Sequence, residues 1–288
     1  MSTLNNRFAP FDAALAAAFE DNVNTALAED VGTGDVTGRL VPADQWVKAR
    51  VIVREEAVLC GAPWFEAVMK RLDAHMRIEW RYAEGATMAA DSEVCAIDGP
   101  ARALLTAERG ALNFLQLLSG VATATRRYVD AVTGTRAAIL DTRKTLPGLR
   151  LAQKYAVRVG GGMNQRLALY DGILIKENHV AAAGGIAAAM QAAHALHAGV
   201  PIQIEVENLS ELEQALAAGA VSVLLDNFSM DEMRKAVDIT SGRAQLEASG
   251  GINMETVRAI AETGVDRISI GSLTKDVRAT DYSLRVIG

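Results

Sequence analysis

The chain has 288 residues, of which 50% are hydrophobic and 22% charged, and its formal net charge is −6. This composition indicates a soluble globular protein that is long enough for two domains or one large barrel. The acidic balance excludes a general nucleic-acid binder, because such proteins carry a basic face that dominates the charge of the domain.

The cysteines and the amino-terminal segment indicate a cytoplasmic protein. Cys60 and Cys95 lie 35 residues apart without CxxC spacing, so neither a disulfide framework nor a zinc site is expected. Residues 1–19 contain one arginine and a short Ala/Leu stretch that Asp12 interrupts, which makes a poor secretory signal. We therefore expect buried thiols in a reducing compartment and no membrane partner.

The first third of the chain alternates strand-like and helical patterns. Apolar and polar residues alternate over Trp46–Val53, Met76–Tyr82 and Ser92–Ile97, which predicts half-buried strands. The spacing over Trp64–Leu72 predicts a helix between the first two strands. These elements predict an α/β sandwich domain over residues 1–110.

Two helices are predicted next, over Ala107–Leu118 and Ala122–Val132. Ser119-Gly120 lies between them and predicts a break in the helical run. We interpret this pair of helices as the connection between two parts of the chain.

From residue 137 onward one unit repeats: a short run rich in Ile, Leu and Val, a polar residue at its end, and an amphipathic helix. The predicted strands are Ala137–Leu140, Ile173–Lys176, Ile202–Val206, Val221–Asp226, Gln245–Ser249 and Arg267–Gly271. The helices between them are predicted to stop at Gly199, Gly219, Gly242 and Gly264. Capping boxes are predicted at Ser210 with Glu213 and at Ser229 with Glu232.

This alternation predicts parallel strands joined by crossover helices. The predicted fold class is α/β, with the sandwich domain followed by an incomplete (β/α) barrel of about six or seven parallel strands. The barrel is predicted over residues 111–275, and the tail 276–288 is expected to return to the first domain. In such barrels the chemistry lies at the carboxyl ends of the strands. The polar residues expected there, around one cavity, are Asp141 to Lys144, Lys176, Glu205, Asp226, Ser249 to Gly251 and Gly271.

Basic residues are concentrated beside these strand ends. Residues 142–176 contain seven basic side chains and the single acid Asp171, a local charge of +6 in an acidic chain. Pro147-Gly148 and the triplet Gly160 to Gly162 interrupt the run, so its cations belong to several loops and predict an anion-binding pocket. Arginine and lysine at such positions bind carboxylates or phosphates. The four assigned to the pocket are Arg143, Lys144, Arg166 and Lys176.

The other three basic residues have a different pattern. Arg150, Lys154 and Arg158 recur every four residues, as they would on one face of a helix. This spacing predicts a solvated helix face or a contact with an acidic partner subunit.

Two acids and two glycine-containing turns complete the predicted pocket. Glu205 and Asp226 each end a strand, where Mg²⁺ could join them to substrate phosphate oxygens. Ser249-Gly250-Gly251 and the segment 269–272 have small residues that let backbone amides approach a phosphate closely. Taken alone, each acid is typical of a hydrogen-bond acceptor and each glycine pair of a turn; their position beside the basic residues favours a site.

Eight motifs closely resemble the quinolinate phosphoribosyltransferase family. They are Glu108 to Leu115, Ser119 to Thr123, Asp141 to Arg150, Lys154 to Val157, Gly160 to Arg166, Leu174 to His179, Leu225 to Asn227 and Glu247 to Gly251. The resemblance extends from Glu29 to Thr274, which is nearly the whole chain, and the motifs together are highly specific.

The resemblance implies a reaction in NAD biosynthesis. Quinolinate and phosphoribosyl diphosphate would give nicotinate mononucleotide, diphosphate and carbon dioxide, with Mg²⁺ as cofactor, in a homodimer or higher homo-oligomer whose active site is shared. The residues implied as catalytic are Lys144, Glu205 and Asp226, of which Glu205 and Asp226 would bind Mg²⁺. Those implied to bind substrate are Thr142, Arg143, Lys144, Gln165, Arg166, Lys176 and, from the neighbouring subunit, Arg109. Those implied to bind the 5-phosphate are Ser249, Gly250, Gly251, Ile270, Gly271, Ser272 and Lys275.

Three positions depart from the commoner pattern of the family. Gln165 and Lys275 stand where histidine is frequent, and Gln153 stands where glutamate is frequent. Glutamine can donate to a carboxylate although it does not titrate near neutrality, so Gln165 is expected to bind substrate. Lys275 retains a cation suited to a phosphate.

Two other functions are compatible with parts of the pattern. A lysine at a strand end, such as Lys176, is also found in Schiff-base aldolases, but the Ser-Gly-Gly turn and the two acids would then have no role. A non-catalytic phosphosugar-binding homologue, like the molybdate-associated relatives of the family, would keep the same scaffold. The complete Asp141 to Arg150 motif, with Glu205 and Asp226, favours the enzyme.

Overall fold

The structure is a computed structural model that describes residues 4–287. The chain divides into two compact units. Unit 1 comprises the residues up to Arg126, the segment Thr145–Gly161 and the residues from Thr274 onward. Unit 2 comprises Arg127–Lys144 and Gly162–Leu273.

The helices and strands are as follows. The helices are α1 (Ala13–Val31), α2 (Ala62–Leu72), α3 (Ala101–Ala131), α4 (Arg150–Val159), α5 (Glu177–Ala183), α6 (Ile186–Ala195), α7 (Leu209–Ala217), α8 (Met230–Thr240), α9 (Val257–Ala261) and α10 (Ser272–Lys275), with a 3₁₀ helix at Thr37–Leu40. The strands are β1 (Trp46–Val53), β2 (Ala57–Val58), β3 (Arg77–Trp80), β4 (Thr87–Met88), β5 (Glu93–Pro100), β6 (Ala138–Leu140), β7 (Ile173–Ile175), β8 (Ile202–Val206), β9 (Ser222–Asp226), β10 (Gln245–Ser249), β11 (Arg267–Ser269) and β12 (Tyr282–Val286).

Unit 1 contains an antiparallel sheet of four strands in the order β12-β1-β5-β3. β1 has its predicted bounds, and its first six residues alternate between exposed and buried, as in a strand with one face against the core. At its centre Val51 pairs with Cys95 of β5 and with Leu284 of β12, so the carboxyl-terminal strand lies in this sheet.

The long helix α3 replaces two predicted helices. It runs without interruption for 31 residues, through Ser119-Gly120, so the predicted break was wrong. A Cβ atom at Gly120 would overlap the carbonyl oxygen of Arg278. Glycine is needed at this position because another part of the backbone passes close to the helix. A close backbone approach requires glycine, so a glycine in a helical pattern does not by itself indicate a break.

Helix α4 belongs to unit 1, although its residues lie between two segments of unit 2 in the sequence. Its Tyr155 ring lies 5.2 Å from Phe11 and 5.3 Å from Trp64, inside the aromatic core of the unit. Lys154 is only 1% exposed, whereas Arg158 is exposed. The predicted solvated face is therefore wrong at Lys154, because α4 packs on more than one side and buries seven of its ten residues.

Unit 2 is an α/β unit around a parallel sheet of six strands in the order β6-β11-β10-β9-β8-β7. This arrangement confirms the predicted incomplete (β/α) barrel, with β6 and β7 at the two edges of the sheet. Beside β6, Met163 forms a parallel bridge with Leu140, and its backbone N–H donates to Ile139 at 2.8 Å. This bridge is the only trace of a seventh strand among residues 4–287.

The helices of unit 2 confirm one predicted capping box and correct the other. At α8 the Ser229 hydroxyl accepts from the Glu232 N–H, and Glu232 accepts from the Ser229 N–H at 2.9 Å, which is the predicted capping box. At α7 the cap is Asn208, which accepts from the Glu211 N–H at 3.0 Å, so the box predicted at Ser210 with Glu213 was wrong. Asparagine caps a helix as well as serine does, and it comes first in the chain.

Helix α6 ends earlier than Gly199, the predicted stop. Its last residue is Ala195, and His197 then takes a left-handed conformation with φ of 46°. A left-handed residue ends a helix whether or not it is glycine, and histidine tolerates this region better than most residues.

Candidate active site

The strand register of unit 2 places several polar side chains on one face of the sheet. Glu205 of β8 pairs with Leu224 of β9, which in turn pairs with Glu247 of β10. Side chains alternate along a strand, so Asp226 and Ser249, each two residues further along, share the face of Glu205. Asp226 and Ser249 end their strands and Glu205 is the last residue but one of β8, so the carboxyl edge of the sheet presents them together.

Lys176 and Glu205 form an ion pair at this edge. Leu174 pairs with Gln203, so Lys176 and Glu205 lie on the same face of neighbouring strands. The ammonium Nζ of Lys176 lies 2.9 Å from Oε2 and 3.2 Å from Oε1 of Glu205. The Glu205 side chain is only 11% exposed, so its carboxylate lies largely below the surface.

Asp141 anchors the loop that carries Gln165 and Arg166. The side chain of Asp141 is completely buried. Its Oδ2 accepts from the Asn164 amide at 2.6 Å and its Oδ1 accepts from the backbone N–H of Gln165 at 3.0 Å. Residues 164–166 are therefore held at the end of β6, next to the start of the loop with Arg143.

Arg143 and Arg166 converge in this region. Burial, and then the positive charge of Arg143, lower the pKa of Arg166. The Arg166 guanidinium donates to the carbonyl of Gly172 at 3.0 Å, whereas Nε of Arg143 is buried without an acceptor in the described part of the chain. Two guanidinium groups so placed create a strong positive potential and suit a ligand with two negative groups.

The loops after β6 and β11 meet beside these arginines. The backbone N–H of Lys144 donates to the Thr142 hydroxyl at 3.1 Å. A Cβ atom at Gly271 would lie 3.2 Å from Cδ of Lys144 and 3.7 Å from Oγ1 of Thr142. Because Gly271 has no side chain, the Lys144 side chain can lie directly against the backbone at the end of β11.

The turn after β10 is built from two glycines with positive φ. Gly250 has φ of 101° and Gly251 has φ of 60°. The Ser249 carbonyl accepts from the backbone N–H of Asn227 at 3.0 Å, and a Cβ atom at Gly250 would overlap the Asn227 side chain. The turn is therefore fixed against the end of β9, and only glycine fits at Gly250.

Two buried side chains beneath this edge were not predicted as part of the site. Gln203 lies two residues before Glu205 and Glu247 two residues before Ser249, so both point to the same face one level deeper. Gln203 is 7% exposed and Glu247 is 1% exposed, and burial raises the pKa of Glu247. A polar residue spaced by two from a strand-end residue is the sequence signal that could have identified them.

The remaining predicted residues are placed as follows. Arg109 and Lys275 belong to unit 1 and are exposed, with Asp276 at 3.5 Å from the Lys275 ammonium. Ile270 is buried, and its backbone N–H donates to Leu140 at 2.9 Å. Ser272 begins α10 and is half-buried.

The oxygen donors suit a magnesium ion that also binds substrate. Within residues 4–287 no group of three or more His, Cys, Asp or Glu side chains could hold a metal ion alone. Glu205 and Asp226 provide two carboxylates, and Mg²⁺ is commonly bound by one or two carboxylates together with substrate phosphates. The pair therefore fits a cation that arrives with a phosphorylated substrate.

Unit 1 contains a cavity of a different character. It has a volume of about 520 Å³, and its walls include Asp21, Glu29 and Asp30. These acids disfavour anions, so the cavity does not compete with the basic edge of unit 2 for an anionic substrate. Within the described part of the chain, none of the helices combines the length and the hydropathy needed to cross a bilayer.

Comparison with known families matches the chain over both of its main parts. The profile described as "Quinolinate phosphoribosyl transferase, C-terminal domain" matches residues 121–285. The profile for the N-terminal domain of the same enzyme matches residues 35–119. The two matches together cover most of the sequence.

Individual relatives agree with these profiles. The nicotinate-nucleotide pyrophosphorylase [carboxylating] of Mycobacterium leprae is 43% identical over 95% of this chain and 97% of that protein. A probable enzyme of the same name from Bacillus subtilis is 40% identical over 92% of both chains. The solved nicotinate-nucleotide pyrophosphorylase of Francisella tularensis superposes with a TM-score of 0.91 at 46% identity, over 94% of this chain and 96% of that one. The chain therefore belongs to the quinolinate phosphoribosyltransferase family.

Proposed function

We propose that the carboxyl edge of the unit 2 sheet is the active site of this enzyme. As a member of its family, the protein transfers the phosphoribosyl group of phosphoribosyl diphosphate to quinolinate, with decarboxylation, in NAD biosynthesis. The observation that carries the proposed location is the convergence of Arg143 and Arg166 close to the buried carboxylate Asp141. Both substrates of the reaction are polyanions, so they require such a concentration of positive charge.

Arg143 and Arg166 hold the two carboxylates of quinolinate in this proposal. The repulsion between two neighbouring guanidinium groups is relieved when a dianion lies between them, and each group can bind a carboxylate through two parallel hydrogen bonds. Thr142 and Gln165 add neutral donors at the same edge. The pyridine ring is thereby oriented for its nitrogen to attack.

Lys144 and Lys176 bind the diphosphate in this proposal. Lys144 lies against Gly271 and reaches the turn at the end of β11, while Lys176 is paired with Glu205. Positive charge placed near the leaving oxygens stabilises the negative charge that develops as the bond to diphosphate breaks. This assignment makes Lys144 a catalytic residue.

Glu205 and Asp226 are the proposed magnesium ligands. Bound Mg²⁺ would neutralise charge on the diphosphate oxygens and hold them in place. The two carboxylates also stabilise positive charge on the ribose as diphosphate departs. The Lys176 ammonium donates to both oxygens of Glu205, so a cation held by this carboxylate would compete with Lys176 for them.

The 5-phosphate of the ribose is assigned to the glycine turns. Backbone amides in positive-φ glycine turns can approach phosphate oxygens closely, and Gly250 and Gly251 form such a turn. The proposed phosphate contacts are Ser249, Gly250, Gly251, Ile270, Gly271, Ser272 and Lys275. A phosphate bound away from the reacting carbon would hold the ribose in one orientation.

The reaction then needs no covalent protein nucleophile. Loss of diphosphate gives an oxocarbenium-like ribose, and the pyridine nitrogen attacks its anomeric carbon. The quaternised nitrogen carries positive charge next to the carbon that loses carbon dioxide, which stabilises the carbanion left behind. A Schiff-base mechanism is disfavoured because Lys176 is bonded to both oxygens of Glu205 and does not lie alone in an apolar pocket.

We also propose a cytoplasmic homodimer whose active site is shared. Arg109 is exposed on α3 in the single chain. A residue that reaches into the active site of a neighbouring subunit has to be exposed in this way. Cys60 and Cys95 are free and buried, in keeping with a reducing compartment. A dimer by analytical ultracentrifugation, and recovery of activity when an Arg109→Ala chain is mixed with a Lys144→Ala chain, would support the shared site.

A coupled measurement tests the proposed function. The protein is mixed with Mg²⁺, quinolinate and phosphoribosyl diphosphate, and nicotinate mononucleotide and carbon dioxide are measured together. We expect equal amounts of both products, and no carbon dioxide when nicotinate replaces quinolinate. Quinolinate binding without any turnover would instead indicate a binding homologue.

A further inference from the structure

A chain of three hydrogen-bonded side chains leads from the proposed quinolinate site into the interior of unit 2. Nε2 of Gln165 donates to Oε1 of Gln203 at 2.8 Å. Nε2 of Gln203 donates in turn to Oε2 of Glu247 at 2.9 Å. Gln165 is half-buried at the edge, whereas the other two residues are buried, so the relay runs from the surface of the site to its floor.

The relay fixes the direction of each amide. Oε2 of Glu247 accepts a hydrogen bond whether the carboxyl is ionised or carries a proton on Oε1, so it receives the amide nitrogen of Gln203. The carbonyl oxygen of Gln203 then faces Gln165 and must receive its amide nitrogen. A glutamine at the surface would otherwise rotate freely between two nearly equivalent orientations.

The backbone of Gln165 is held independently of this relay. Its N–H donates to Asp141 at 3.0 Å, while the neighbouring Asn164 amide donates to the other oxygen of the same carboxylate. Backbone and side chain of Gln165 are therefore fixed from two directions. Such double support is what a side chain needs to bind a ligand with a defined geometry.

The composition of the relay points to function because stability alone does not require it. A buried carboxyl and a buried amide cost free energy unless every polar atom is bonded, and Oε1 of Glu247 has no partner within the described residues. Apolar side chains of similar volume would avoid this cost. The polar pair is best explained by what it does for Gln165.

We infer that Gln203 and Glu247 are positioning residues that hold the Gln165 amide in the orientation in which it binds a carboxylate of quinolinate. The inference rests on the proposed function, because it takes Gln165 to be a substrate contact. Neither Gln203 nor Glu247 touches substrate; both act through Gln165. Their loss should therefore affect the use of quinolinate and not that of phosphoribosyl diphosphate.

The test compares single and double variants by steady-state kinetics. Gln203→Met keeps the length of the side chain and removes both of its hydrogen bonds. We expect kcat/KM for quinolinate to fall about tenfold, mainly through KM, as expected when one positioned hydrogen bond is lost. KM for phosphoribosyl diphosphate should stay within about twofold of the wild-type value. Thr240→Val removes another buried polar group of unit 2, a hydroxyl with no partner among residues 4–287, and should leave both constants unchanged.

A double-mutant cycle decides whether Gln203 acts through Gln165. If it does, Gln165→Ala together with Gln203→Met should be no worse than Gln165→Ala alone. If the two effects multiply, the positioning role is overturned. Gln203→Met leaves Glu247 without its partner and could therefore fail to fold. In that case the variant Gln203→Met/Glu247→Met, which also removes the buried carboxyl, replaces Gln203→Met in the same double-mutant cycle. Glu247→Gln, which can still accept from Gln203, should retain more activity than Glu247→Leu.

The outcomes separate this inference from the proposed function. A wild-type protein that does not convert quinolinate would overturn the proposed function and the inference with it. An active wild-type protein whose variants show multiplicative effects, or whose KM changes for phosphoribosyl diphosphate, would overturn the inference alone.

Discussion

Two polar clusters, one in each unit, differ in how completely their own chain satisfies them. In unit 1 the buried carboxyl of Glu84 accepts from the backbone N–H groups of Gly61 and Ala62 and from the Tyr155 hydroxyl, at 2.8, 3.2 and 3.0 Å. In unit 2 the polar residues at the carboxyl edge of the sheet, which include Arg143, Arg166 and Glu205, form the second cluster, called the edge cluster. It leaves Nε of Arg143 without an acceptor in the described chain. A polar cluster closed on itself holds a fold together, whereas one with unused donors is prepared for a ligand.

This contrast leads to an expectation about variants. Changes to the edge cluster of unit 2 should reduce activity with little effect on stability. Changes to the Glu84 cluster should alter stability, or its dependence on pH, with little effect on kinetic constants.

The largest effect is expected on removal of the proposed metal. Excess EDTA should lower turnover by roughly three orders of magnitude, because bound Mg²⁺ supplies several kcal/mol of charge stabilisation. Adding Mg²⁺ back should restore the rate, and Asp226→Asn should raise the Mg²⁺ concentration that gives half-maximal activity. Full activity in EDTA would contradict the proposed role of Glu205 and Asp226 as magnesium ligands.

The next effect tests the arginine pair. Arg143→Ala should reduce kcat/KM for quinolinate by about a hundredfold or more, since a bound carboxylate then loses its charged partner at a cost of several kcal/mol. The melting temperature should hardly change. Arg234→Ala is a matched control, because Arg234 is an exposed arginine of unit 2 whose ion pair is with Asp231. Equal kinetics for the two variants would contradict the proposed site.

A smaller effect concerns the glycine turn after β10. Gly250→Ala introduces strain at φ of 101° and a collision with Asn227, so KM for phosphoribosyl diphosphate should rise about tenfold. Gly219→Ala has a similar φ of 84° but open space around the added Cβ. It should cost about 1 kcal/mol of stability and leave KM unchanged. If Gly250→Ala changed only the stability of the protein, the proposed role of this turn in phosphate binding would be contradicted.

The smallest effect on activity is expected at Glu84, where the pH dependence of stability is the diagnostic. Burial raises the pKa of Glu84 from 4.5 to about 7, against the opposing effect of the bonds from Gly61, Tyr155 and Ala62. The unfolded chain therefore releases this proton near pH 4.5, while the folded protein keeps it until about pH 7. Folding stability contributed by this group falls as pH rises through that window, by on the order of 3 kcal/mol, and is constant above it.

Glu84→Gln isolates this contribution because the amide can still accept from Gly61 and does not titrate. The difference in unfolding free energy between the variant and the wild type, measured by urea denaturation from pH 4 to 8, should grow across the window and then level off. Parallel curves for the two proteins would mean that Glu84 titrates normally.

The parallel strands of unit 2 could be predicted closely from the sequence. Ile202–Val206 and Gln245–Ser249 have the same bounds in prediction and structure. The location of Glu205 and Asp226 at one edge follows from the same pattern. What each residue does there depends on distances that a one-dimensional pattern does not contain.

The errors have a common physical origin in long-range packing. Gly120 was taken for a helix break, but it serves a backbone that returns more than 150 residues later, at Arg278. Lys154 was predicted to lie on a solvated helix face or in a contact with a partner subunit, but its helix is packed on more than one side within its own chain. The relay of Gln165, Gln203 and Glu247 was not predicted, because its hydrogen bonds join three separate segments of the chain.

The path of α4 has a consequence for how this protein can be divided or recombined. The chain leaves unit 2 after Lys144, forms α4 in unit 1, and returns at Gly162, so the loops with Arg143 and with Arg166 are both continuous with one unit 1 helix. A single cut before Arg127 keeps both arginine loops and α4 in one segment, but it removes the unit 1 residues against which α4 packs. Exchange of amino-terminal domains between homologues by simple fusion would therefore leave α4 joined to its own barrel and surround it with core residues from the other protein.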